Sequence, residues 1–357
     1  MLKAERSYSL LSGITRFRAR RVLYIAVFWT IIDIIATALN FNTHDPHTKS
    51  IVVRAILVFC MSLVMGYLFV FSLKNIFRNS SMFVNFIAKT FILLFAALVM
   101  NFLVHFVDNI FIAENSVNET MVNFYHNILD GNWLLRRTMY WLVLFAITQL
   151  YVEINDKYAP GVFIDIIMGK YIQPKNENRI IMFIDLKDST PIAEKLGHEQ
   201  FFLFIREFIF HISLALIEHG GIIYQYVGDE IVVSWKYSRQ NIKDCLASVL
   251  QARKNIQKNS ERFRRKYGII PEFRLGIHVG DVTVGEIGVI KKDLAMSGDT
   301  MNTTARIRSA CNELNQKFIV SGDFAEKTNL KSWQLESLGV VELKGKANGI
   351  ELFALKV

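Results

Sequence analysis

The sequence predicts a chain of two parts: an N-terminal all-α membrane region of four helices, then a C-terminal α+β domain with strands and helices in the order βαββαβ. Three observations lead there. At 357 residues the chain exceeds what one hydrophobic core usually organises. Its apolar fraction is 52% and its mean hydropathy is positive, which an ordinary soluble chain does not show. The composition also changes near residue 153. Before it run four long apolar stretches; after it, short apolar runs alternate with amphipathic segments.

The four apolar stretches are 22–41, 51–73, 83–107 and 134–152, within a membrane domain of 22–152. A helix needs about 20 apolar residues to cross a bilayer. The first three meet that length. The fourth carries Arg136 and Arg137 near its start, and these can snorkel to an interface. The tail 1–21 holds Lys3, Arg6, Arg16, Arg18, Arg20 and Arg21, whereas the loop 108–133 has no Lys or Arg. The positive-inside rule puts the tail in the cytoplasm of an inner membrane, and four crossings return the chain there. Arg136 and Arg137 dissent from that orientation. The first stretch lacks a short n-region and a small-residue cleavage site, so it reads as a span and not a signal peptide. Cys60, Cys245 and Cys311 fit neither a zinc site nor a disulfide framework, which suits a reducing compartment for the latter two.

Asp33 lies inside the first span. It is either a functional acid or a packing contact between helices, and no partner at its depth is visible in the sequence. His44, His47, His105 and His126 fall on or near the outer side; solvated loop histidines are the simplest reading, metal binding or pH sensing the sharper one. Residues 153–178 form a connector, with an amphipathic helix at about 161–171 between Pro160 and Pro174, placed to couple the two parts.

The second domain, 179–357, opens on the apolar strand "RIIMFIDL", which ends at Asp185 and Leu186. Residues 199–219 form a helix that is greasy but interrupted by Arg206, Glu207 and His211, so it is not a fifth span. Gly220-Gly221 marks its C-cap. A hairpin, "IIYQYVGDEIVVSWK", turns at Gly228-Asp229. A basic helix covers about 242–267. "EFRLGIHVGDVTVGEIG" reads as two strands, and "GDTMNTTARIRSACNEL" as a helix with Asp299 as N-cap. "KFIVS", 333–343 and 350–356 are further strands.

Chemistry concentrates at four places. Asp185 ends a strand and Asp229 tips the hairpin. If these strands are neighbours, the two carboxylates form a hard-oxygen site suited to Mg²⁺ or Mn²⁺ completed by phosphates. Taken singly, either acid could be a plain strand-end cap. Asn302 and Arg306, at i and i+4, share one helix face and suit a ribose and a phosphoryl oxygen. Lys344 and Lys346 offer point charges for a triphosphate.

In this order and spacing, Asp185, Asp229, Asn302 and Arg306 resemble the class III adenylate/guanylate cyclase catalytic domain over roughly 178–356. The GGDEF diguanylate cyclases account for the hairpin but not for the Asn-Arg helix. The resemblance implies a ferredoxin-like βαββαβ domain in a membrane-anchored nucleotidyl cyclase that makes 3′,5′-cyclic AMP and pyrophosphate from ATP. It implies two Mg²⁺ or Mn²⁺ per active site, held by Asp185 and Asp229. Asn302 would orient the ribose, Arg306 stabilise the transition state, and Lys344 grip the triphosphate. The partners implied are the nucleotide, the bilayer and a second copy in a head-to-tail homodimer, since metal acids and Asn-Arg pair come from opposite subunits.

Two departures from the family pattern stand out. The positions that select the base hold Gln225 and Ala295, where adenine-selective members carry Lys and Asp or Thr, and guanine-selective ones Glu and Cys. Gln can face either purine, so GTP is the alternative substrate. Asp188 stands where many relatives have Gly, and an acid there repels phosphates unless it points away or meets a cation. Rival readings are a nucleotide-binding regulator without turnover and a membrane receptor with a scaffold domain. The net charge of +9 and the segment "RKNIQKNSERFRRK" raise a nucleic-acid module, but a solvated face or anionic lipid explains them more simply.

Overall fold

The computed structural model describes residues 13–40, 48–72, 82–107, 109–110, 114–129, 131–157, 165, 168–289, 293–328, 330, 334–343 and 349–356. The chain divides into two compact units, chiefly Thr15–Lys157 and Tyr158–Val357.

The first unit is all-α. Its helices are α1 (Gly13–Asn40), α2 (Thr48–Tyr67, running on into a π-helical turn at Leu68–Ser72), α3 (Met82–Val107), α4 (Val117–Leu129) and α5 (Gly131–Lys157). The long helices fall on the four expected stretches. The short α4 lies in the segment 108–133 that was read as a loop. It begins at Ser116, whose hydroxyl accepts from the Glu119 amide while Glu119 bonds back to the Ser116 amide, a capping box. Arg18–Ala38 and Ile87–Val107 are long and apolar enough to cross a membrane; Ile51–Tyr67 is apolar but shorter, and α5, with Arg136 and Arg137, falls below that threshold.

Trp29, Trp141 and Phe145 form the buried centre of this unit, with Trp29 and Phe145 ring centroids 4.8 Å apart. The indole N–H that cannot be left unpaired in such a core donates to Thr148 Oγ1 at 2.8 Å. Asp33 is buried too, and it has a partner after all. Arg54 of α2 binds it with two hydrogen bonds, of 2.9 and 3.0 Å, and Tyr140 of α5 approaches at 3.5 Å. Arg54 escaped notice because it sits inside an otherwise apolar run. His105 is buried and its ring accepts from Asn109 Nδ2; His44 and His47 lie outside the described residues.

The second unit is a mixed sheet covered on both faces. The strands are β1 (Lys175–Leu186), β2 (Ile222–Val227), β3 (Glu230–Lys236), β4 (Phe273–Ile287), β5 (Asp293–Ser297), β6 (Phe318–Ser321), β7 (Leu335–Val341) and β8 (Ile350–Leu355), and the spatial order is β2-β3-β1-β4-β6-β8-β7 with β5 beside β4. Among the described strands, only β4 and β6 run parallel. The helices are α6 (Ser189–Leu196), α7 (His198–Glu218), α8 (Arg239–Lys258), α9 (Ser260–Tyr267), α10 (Asp299–Glu313) and α11 (Gly322–Glu326).

Alternation along β1 explains the two faces. Ile180, Met182, Ile184 and Leu186 point into one core with Phe204, Phe208, Ile212 and Leu216 of α7 and Cys245 and Val249 of α8. Ile181 and Phe183 point the other way, with Val282, Val284 and Met301. Helix α7 is long and apolar enough to span a bilayer by composition, yet its apolar stripe is spent on the sheet. It closes as expected, with Gly220 in the left-handed region and the Gly221 amide donating to Leu216 O.

Three expectations need correction. The basic helix is two helices, broken at Asn259, whose side chain turns back to Asn255 O. The N-cap of α10 is Gly298, with Asp299 in the first turn. The run 272–288 is one strand, β4, not two. Its glycines do not turn the chain. A Cβ on Gly276 would lie 2.5 Å from the Arg308 amide nitrogen, and one on Gly280 2.6 Å from Thr300 Oγ1. They form a smooth stripe on which α10 rests. The obstacle at Gly276 is helix backbone, so Gly276→Ala forces the helix to shift, with an expected loss of about 3 kcal/mol in denaturant unfolding.

Candidate active site

Antiparallel pairing brings the hairpin tip to the end of β1. The β1–β3 register runs to Ile184↔Ile231, so Asp185 lies one residue beyond the last pair and Asp229 two residues before it. Gly228, at a φ of 62°, makes the tight turn between Val227 and Glu230 that only glycine accepts without strain. The two carboxylates act on each other. Burial pushes the Asp185 carboxyl up to about 6; the Arg308 guanidinium opposes this, while Asp229 and Glu230 add to it.

This donor set suits a hard divalent cation. One Asp229 oxygen is buried with no hydrogen-bond partner, an arrangement that costs free energy unless something binds there. Among the described residues no group of three His, Cys, Asp or Glu side chains converges as a self-sufficient metal site. Two carboxylates leave coordination positions that further oxygens, such as those of phosphates, would fill.

The Asn-Arg helix is positioned by the β4 stripe. Thr300, Thr304 and Arg308, each four residues apart, form the ridge of α10 that meets the sheet: Thr300 donates to Asp281 O at 2.7 Å, and Thr304 is fully buried. Asn302 and Arg306 are two residues out of step with that ridge, about 160° around the helix. Asn302 is exposed and Arg306 half-buried. No hydrogen bond or ion pair among the described residues joins either to Asp185 or Asp229 of the same chain.

Residues 171–356 match the family described as the adenylate and guanylate cyclase catalytic domain. The chain belongs to this family. It is 32% identical over 207 residues to Adenylate cyclase 2 of Rhizobium meliloti (strain 1021), covering 57% of each chain. It is 24% identical over 216 residues to an adenylate cyclase of Anabaena cylindrica, covering 56% of this chain and 42% of that one. The chain thus spans 57% of the length of the first relative and 42% of the second. The structure of a bacterial light-regulated adenylyl cyclase superposes with a TM-score of 0.53 at 17% identity, over 62% of this chain and 65% of that one, which establishes a shared fold.

The remaining positions of the cyclase domain can be placed against that frame. Gln225 follows a bulge in β2 and is exposed; Ala295, on β5, pairs with Gly285 of β4. The two strands meet one residue away from each, where the Met296 amide donates to Tyr224 Oη at 3.1 Å. Asp188 has a φ of 56°, the left-handed conformation that favours glycine, which gives a backbone reason for Gly at this position. Its carboxylate is exposed, with Lys187 Nζ at 3.7 Å, so it does meet a cation. Lys344 and Lys346 lie outside the described residues.

One residue of the cluster has no counterpart in the sequence reading. Arg308 donates to Asp185 Oδ2 at 3.4 Å and pairs with Glu230 Oε2 at 2.5 Å. The only available signal was its spacing, eight residues after Thr300 on the face that meets the sheet, and that face is not evident until the glycine stripe is known.

Proposed function

We propose that this chain is a membrane-bound adenylate cyclase that converts ATP to 3′,5′-cyclic AMP and pyrophosphate at sites shared between two copies. The observation that supports it is the opposition of faces. Asp185 and Asp229 converge at one end of β1, while Asn302 and Arg306 project from the far side of a helix whose near side is fixed to the sheet. One chain presents both halves of the family's site, but not to each other. A head-to-tail homodimer brings them together, giving two sites.

Cyclases of this family use Mg²⁺ or Mn²⁺, and Asp185 and Asp229 are the residues that would hold the pair. A pair held there would supply polarisation of the ribose 3′-hydroxyl and neutralisation of phosphate charge. Asn302 of the second copy orients the ribose. Arg306 places a fixed guanidinium against the charge that grows on the α-phosphate as the 3′-oxygen attacks and pyrophosphate leaves. Lys344 grips the triphosphate. Because Asp185 titrates near 6, protonation competes with the metal below that value. The apparent Mn²⁺ affinity in a pH series should therefore hold above about pH 6.5 and fall about tenfold per unit below about 6.

The N-terminal unit supports a bilayer location. Leu23, Phe28, Ile31, Ile35, Phe91 and Phe95 are large, apolar and exposed on α1 and α3, more than a water-facing surface carries. Four crossings, with the tail and the cyclase domain cytoplasmic, follow from the charge asymmetry. ATP is favoured by the relatives named adenylate cyclases. GTP is the second reading, because Gln225 offers both a donor and an acceptor and Ala295 offers neither. The test is turnover of purified protein with Mn²⁺ and each of the four ribonucleoside triphosphates, with products separated by chromatography. Cyclic AMP alone supports the proposal, cyclic GMP alone moves the substrate to GTP, and no product from a folded dimer overturns it.

A further inference from the structure

Three carboxylates, of Asp185, Asp229 and Glu230, crowd one half-buried corner, and among the described residues a single cation, Arg308, is paired with them. Arg308 reaches Glu230 at 2.5 Å and Asp185 at 3.4 Å, so one arm is tight and the other loose. Its Nε is buried without a partner, and its backbone amide is packed against Gly276, which fixes where the side chain starts. Glu230 is nearly buried, with 14% of its side chain exposed. The opposite charge of Arg308 offsets the cost of burying that carboxylate beside two others.

We propose that Arg308 is a built-in counter-cation of the metal site, and that a divalent ion arriving at Asp185 displaces the loose arm while Glu230 retains the tight one. Glu230 is the parking place that keeps Arg308 folded in while Asp185 changes partner. The pair thus raises the concentration of metal needed to load the site, a limit set by this chain and not by the nucleotide. The inference rests on the assignment of Asp185 and Asp229 as metal ligands.

The test is Mn²⁺ binding to the full-length, nucleotide-free protein, followed by the loss of the electron paramagnetic resonance signal of free Mn²⁺. The decisive variant is the double substitution Arg308→Gln with Glu230→Gln. It removes a cation and an anion together, so the formal charge of the corner is unchanged and Glu230 is not left as an unpaired buried carboxylate. Charge counting alone predicts unchanged affinity. Competition for Asp185 predicts tighter binding, by about fivefold or more, because a repulsive unit charge next to the metal is gone. Arg308→Gln alone should tighten binding further, by at least about tenfold, since it frees a third carboxylate. Should that single variant fail to fold, the double variant still decides. Equal or weaker binding by the double variant, or saturation of neither protein, overturns the proposal. Asp229→Ala separates the two claims. If it binds Mn²⁺ as the wild type does, the metal-ligand assignment fails; if it loses binding while the double variant binds no tighter, the role of Arg308 fails alone.

Discussion

Asp229→Ala should lower cyclase turnover by about a thousandfold or more without loosening the fold. The magnitude follows from what the carboxylate is placed to do: metal-borne charge stabilisation is worth several kcal/mol, and single electrostatic contacts to a transition state cost two to three powers of ten when removed. The fold argument is separate. The turn is made by Gly228, not by Asp229, and one carboxylate oxygen has no hydrogen bond to lose. Asp229 also pushes the pKa of Asp185 upward, which means the apo protein bears a repulsion whenever both are ionised. An acid whose pKa is raised by folding destabilises the native state above that pKa, and the penalty disappears as pH falls through it. Asp229→Ala should therefore match or exceed the wild type in thermal denaturation above about pH 6, with the advantage gone near pH 4. A variant that keeps full turnover would remove Asp229 from the metal site, and one that unfolds would make it structural.

The residues whose chemistry is local were legible in the sequence; those defined by packing were not. Asp229 announces itself because a Gly-Asp turn between two apolar runs fixes its place at a hairpin tip. Asn302 and Arg306 are visible because i and i+4 share a helix face wherever the helix goes. The glycines of β4 carry the opposite lesson. In the sequence, the run that holds Gly276 and Gly280 reads as two strands; it is one. What the glycines do is admit α10, at 2.5 Å from a would-be Cβ, and nothing in the sequence states which helix lies above them. Arg308 was hidden for the same reason. Asp33 and Arg54 are 21 positions apart on different helices, and their pairing depends on how α1 meets α2. The short β5, "DLAMS", lacks the apolar run that marks the other strands.

Mixing Asp185→Ala with Arg306→Ala should restore activity that neither variant has alone. Each homodimer lacks one element of both of its sites. A mixed dimer has one site with both defects and one with none. Random exchange makes half of the dimers mixed, each with one of two sites intact, so recovery should approach about a quarter of wild-type turnover. The prediction depends on geometry within a single chain. Arg306 lies about 160° around α10 from the ridge that contacts the sheet, and Gly276 and Gly280 leave that helix no freedom to roll. If a single chain could fold Arg306 onto its own Asp185, each variant would break its site completely, and mixing would recover nothing. Absence of recovery from a mixture shown to contain mixed dimers would therefore reject the shared site. Recovery near a quarter would locate the reaction between two copies, with the acids of one chain facing the amide and guanidinium of the other.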